Sequence, residues 1–145
     1  MPLGLIAAYT LTVICGVTLA IQDIRRGKVA LRVLASFLAS CTLVFCNTHE
    51  CSLAPFAVFV TVGGLYLLIT KKSAFGSADY VVAFSVSFLM PHETWHLFVL
   101  SCGVLGSVSA IIFKSRKFPF IPSILGATLL ASGGLWGLFG KALEP

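Results

Sequence analysis

Apolar residues in this chain are gathered into long blocks of about 17 to 20 residues, cut by short polar breaks, and each block is long enough to cross a hydrocarbon core of about 30 Å as a helix. The pattern predicts an all-α fold, a polytopic membrane bundle of six transmembrane helices over residues 3–22, 29–46, 53–70, 74–90, 95–113 and 120–140, forming a single domain across 1–145. Pro55 suits a first helical turn, and Pro91 is expected to end the fourth helix. That fourth block is short: Tyr80 to Met90 gives only about 16 Å of helix. To cross, it must begin near Ala74 and carry Gly76, Ser77, Ala78 and Asp79 with it, which sets Asp79 about one turn below the headgroup boundary. An acid at that depth is costly and points to function.

Composition agrees with the pattern. Hydrophobic residues make up 58% of the chain and charged residues 10%, where a soluble domain has about 25% charged. Arg25, Arg26, Lys28 and Arg32 follow the first block, Lys71 and Lys72 the third, and Lys114, Arg116 and Lys117 the fifth, against Lys141 alone on the other side. By the positive-inside rule these three loops are cytoplasmic and both termini extracytoplasmic, so the chain is expected in the cell's inner (cytoplasmic) membrane. The first block has no basic residue ahead of it and is read as retained rather than as a cleaved signal. The net charge of +5 flanks apolar runs instead of forming a stripe with interleaved aromatics, so membrane lipid headgroups, not nucleic acid, are the expected counter-charge. The oligomeric state is not readable. Five cysteines without a CxxC carry neither a zinc-ribbon nor a redox signature. Cys15, Cys41 and Cys102 read as small hydrophobes, while Cys46 and Cys51 bracket a polar loop and could bond in an oxidising compartment.

The chain has only two aspartates, Asp23 and Asp79, and the topology puts both at the cytoplasmic boundary. Two acids held together in a low-dielectric site cannot both ionise, so the pair can polarise a carbonyl while activating water. Asp79 falls at the start of its helix and Asp23 at the end of its own, so helix dipoles favour Asp79 as the ionised base and Asp23 as the protonated acid.

Gly76-Ser77-Ala78-Asp79 resembles the GxGD motif of the type IV prepilin and preflagellin peptidases, Asp23-Ile24-Arg25-Arg26 resembles that family's first-aspartate loop, and Phe118-Pro119-Phe120-Ile121-Pro122 resembles the run that opens its last helix. The three stretches stand in the family's order. Ala78 replaces the usual second glycine, and Val29-Ala30-Leu31 stands where a hydrophobic-Pro-Asn run is usual. The resemblance implies an aspartic endopeptidase that removes the short basic leader of prepilin-like precursors at the cytoplasmic membrane face. Asp23 and Asp79 would be catalytic, Gly76, Ser77 and Ala78 would lie against the substrate, and no metal or cofactor is called for. The methyltransferase segment with its paired CxxC motifs, present in longer members, has no counterpart here.

Two other readings compete. His92-Glu93-Thr94-Trp95-His96 matches HExxH, in which two histidines one helical turn apart hold zinc and the glutamate activates water. Its place just after Pro91 also suits an interfacial loop anchored by Trp95. The third reading is a non-catalytic assembly protein built on the peptidase fold.

Overall fold

The computed structural model describes residues 3–49, 51–71, 75–113 and 119–133. Among these lie six helices and no strand: α1 (Leu3–Arg26), α2 (Leu31–Thr48), α3 (Ala54–Thr70), α4 (Ser77–Ser87), α5 (Trp95–Phe113) and α6 (Ile121–Ala131). The expected end of the sixth helix, the start of the fourth at Ala74 and the cations Lys72, Lys114, Arg116, Lys117 and Lys141 fall outside the described residues.

The helix ends follow local chemistry. α1 runs four residues beyond its apolar block because Gly27 closes it from the left-handed region (φ 58°) and donates its N–H to the Asp23 carbonyl at 2.9 Å. α2 and α3 are closed in the same way by His49 and Lys71, whose N–H groups reach the Phe45 and Leu67 carbonyls. α4 departs most from expectation, with eleven residues instead of the seventeen of the predicted 74–90 span. At its start Gly76 is extended (ψ 160°), outside the helix rather than within it. At its end, Phe88 and Leu89 turn back onto the Ser85 and Val86 carbonyls before Pro91 is reached.

Three helices, α1, α2 and α5, are long and apolar enough to cross a membrane, not the six expected. α3 falls just short at 17 residues, and the described part of α6 is an eleven-residue apolar helix. α4 needs no lipid contact, because it packs against α2, α3 and α6 and buries Val82, Ala83, Ser85, Val86 and Ser87. Short or broken helices are tolerated at membrane depth where protein surrounds them. The outside of the bundle carries bare apolar side chains such as Ile69 (80% exposed) and Ile111 (71%), as expected of a membrane protein.

Hydroxyl groups within the apolar helices are satisfied locally. Thr10, Thr18, Thr42, Thr61, Ser87 and Thr128 each donate to the carbonyl four residues back. Thr12 also donates to Ser40 at 2.9 Å, a buried link between α1 and α2. Ser40→Ala should therefore cost about 0.6 kcal/mol, the mean for such interhelical bonds, read as a small drop in the unfolding midpoint in detergent. Cys15, Cys41 and Cys102 are buried, as their apolar surroundings predict, and Cys46 and Cys51 are free thiols rather than a disulfide.

Candidate functional site

Asp23 lies in the last turn of α1 and Asp79 in the first turn of α4, both half-buried. Asp79 Oδ2 accepts the Gly76 N–H at 2.7 Å, which satisfies one of the orphan donors at the start of α4. Asp23 Oδ2 accepts the Ile121 N–H at 3.1 Å, at the start of α6. Each carboxylate thus faces the N-terminus of a helix, which favours negative charge. The dipole difference expected to separate the roles of the two acids is accordingly offset, because α6 supplies at Asp23 what α4 supplies at Asp79.

The two acids come within electrostatic range of one another, Asp23 acting on Asp79. Their helices nevertheless make no close backbone approach among the described residues, and α2 and α6 pack against both. At the acidic end the link is aromatic: the Phe120 ring, immediately before Ile121, lies 5.1 Å from the Phe75 ring, immediately before Gly76. Phe59 of α3 closes on both, at 5.1 Å from Phe75 and 5.7 Å from Phe120.

The remaining predicted site residues fall as follows. Gly76 and Ser77 are exposed beside Asp79, and an added β-carbon at Gly76 would stand 3.4 Å from the Asp79 carboxylate, so the glycine keeps that flank open. Ala78 is helical, and its methyl packs against the core, so the replacement of a second glycine is met without backbone strain. On the other flank Gln22 Oε1 accepts the Ala30 N–H at 2.8 Å and ties the α1–α2 connection beneath Asp23.

His92 and Glu93 occupy a turn outside any helix, and His96 stands in the first turn of α5. The HExxH spacing needs one continuous helix to bring its histidines onto one face; here the helix starts only at Trp95. No group of three or more His, Cys, Asp or Glu able to hold a metal ion occurs among the described residues. Glu50, a possible further ligand at this end, is outside them.

Gln22 and the Ile121 N–H were not singled out from the sequence as parts of this site. The Phe120-Ile121 stretch was marked by its resemblance, but its bond to Asp23 joins residues 98 apart, which no spacing rule reveals.

A family model described as the type IV leader peptidase family matches residues 10–111, a stretch that includes both aspartates. Neither a curated protein nor a solved structure matches the chain.

Proposed function

The chain belongs to the type IV leader peptidase family, and we propose that it works there as a membrane-embedded aspartic endopeptidase, with Asp23 and Asp79 as its catalytic pair. The observation that carries this reading is that the chain's only two aspartates each accept an N–H at a helix start, Asp23 at α6 and Asp79 at α4, with α6 packed against the helices of both. The ionised carboxylate takes a proton from water lying between the pair, and the water oxygen attacks the scissile carbonyl carbon. The protonated carboxyl gives its proton to the carbonyl oxygen. Collapse of the tetrahedral intermediate breaks the C–N bond: the new amine takes up the proton held by the base, and one hydroxyl of the gem-diol returns its proton to the other carboxylate, leaving the new carboxyl group.

The substrate of this reading is a prepilin-like precursor whose apolar stem lies in the bilayer and whose short basic leader is cut at the cytoplasmic face. The exposed backbone at Gly76 and Ser77, with Ala78 behind it, is the edge against which the scissile segment would lie. The long apolar helices α1, α2 and α5 would cross the inner membrane with α4 enclosed among α2, α3 and α6, the termini outside and anionic lipid headgroups on Arg25, Arg26, Lys28 and Arg32. These four cations are exposed.

The test is cleavage of a purified precursor by the protein in lipid. Activity is expected from the unaltered protein and its loss when either aspartate becomes asparagine. A chelator, or His92→Ala, should change the rate by less than about twofold, since His92 lies in a turn beyond the end of α4 whose first turn carries Asp79, and a lost zinc ligand would instead cost orders of magnitude. Loss of activity on chelation would favour the zinc reading. Failure of the unaltered protein to cut any precursor would favour the non-catalytic one.

A further inference from the structure

α1 and α4 carry the two acids without a close backbone approach among the described residues; α2 and α6 each pack against both helices, and at the acidic end the link is made by α6. The hydrogen bond and ring contact that connect them run through the start of α6. Asp23 holds the Ile121 N–H, Phe120 meets Phe75 at 5.1 Å, and Phe75 leads into Gly76, whose N–H holds Asp79. Phe120 is itself seated on α5, where a β-carbon added to Gly106 would come within 2.5 Å of the ring. Gly106 is buried, whereas Gly103, one turn earlier on α5, has nothing within 4 Å of an added β-carbon.

We infer that Phe120, seated against Gly106 and stacked on Phe75, is the positioning element that sets the separation of Asp23 and Asp79, with Gly106 as its socket. It rests on the catalytic reading of the two acids, but its geometric content does not. The ring and the Ile121 N–H belong to adjacent residues, so a ring pushed out of its socket carries the Asp23 partner with it. The same displacement loosens the contact with Phe75 and frees Gly76 and Asp79 to move independently. A misplacement of about 1 Å between reacting groups is enough to cost about a hundredfold in rate.

The test has two readouts. For distance, nitroxide labels are placed at Ile24→Cys and Ser77→Cys, exposed neighbours of the two acids, with Cys46 and Cys51 replaced by alanine and the buried Cys15, Cys41 and Cys102 left in place. Spin–spin distance in lipid is then compared across variants. Gly106→Ala should lengthen or broaden the distribution, Gly103→Ala should leave it unchanged, and adding Phe120→Leu to Gly106→Ala should return it toward the starting value, because the shorter side chain leaves room for the methyl. For activity, in the protein with its native cysteines, Gly106→Ala should lower kcat by about 10- to 100-fold with KM changed less than about twofold, and the same second substitution should recover most of the loss. A distribution unmoved by Gly106→Ala, or a kcat equal to that of Gly103→Ala, overturns the inference and leaves the catalytic reading intact. Cleavage that survives Asp23→Asn or Asp79→Asn sinks the catalytic reading, while the spin–spin distance still decides the geometry. If Gly106→Ala does not accumulate in the membrane, Phe75→Leu, which spares the socket and trims only the opposing ring, carries the same two expectations and the same overturning results.

Discussion

Asp79→Asn is expected to lower precursor cleavage by about a thousandfold, within the range for removing a general acid or base, without unfolding the protein. The two halves of that expectation have separate causes. An asparagine side-chain oxygen can still accept the Gly76 N–H that Asp79 Oδ2 now holds at 2.7 Å, so the start of α4 keeps its cap. What is lost is the carboxylate's ability to take a proton from water or to return one. Asp79→Ala should be as inactive and also less stable, by about 1 kcal/mol, because the Gly76 N–H loses its acceptor. Turnover of a purified precursor in lipid, measured beside thermal unfolding in detergent, separates the two effects. A variant with asparagine at 79 that retains more than about a tenth of the activity would remove this carboxylate from the chemistry.

The helices among the described residues, and the placing of α1, α2, α3 and α5, were legible in the chain alone, because apolar blocks of membrane length have few other fates. Asp23 and Asp79 stand out in the sequence because an ionisable group near the membrane interior is rare. The length of α4 was misjudged for a physical reason. A helix that meets lipid must match its thickness, yet α4 is sheathed by α2, α3 and α6 and is released from that requirement. The balance of charge at Asp23 depends on a second helix as well as its own. The α6 N-terminus that meets it lies 98 residues away, and its approach depends on packing of Phe120 that no local pattern encodes. Glycine was the least legible residue of all. Gly63 and Gly64 are adjacent in one apolar block and look equivalent in sequence, yet only one of them has a side chain pressed against it.

That contrast makes the second large prediction, on stability. A β-carbon at Gly63 would collide with the Tyr80 hydroxyl and would stand 3.2 Å from the end of that ring and 3.3 Å from Phe75, so Gly63→Ala forces two aromatic side chains to shift. Overpacking of this kind costs about 1–3 kcal/mol. Neighbouring Gly64 has nothing within 4 Å of an added β-carbon, so Gly64→Ala carries only the gain in helix propensity, up to about 1 kcal/mol in the opposite direction. Tyr80→Phe removes the atom in closest conflict. Combined with Gly63→Ala it should recover a large part of the loss, and the double-mutant cycle should return a coupling of about 1 kcal/mol or more. The remaining cost reports the pressure on Phe75, and through Phe75 on the ring of Phe120, so it should be accompanied by lower turnover even where folding is restored. Equal unfolding midpoints for Gly63→Ala and Gly64→Ala would mean that α3 does not press on Tyr80, and that the aromatic cluster beside Asp79 is looser than its ring contacts imply.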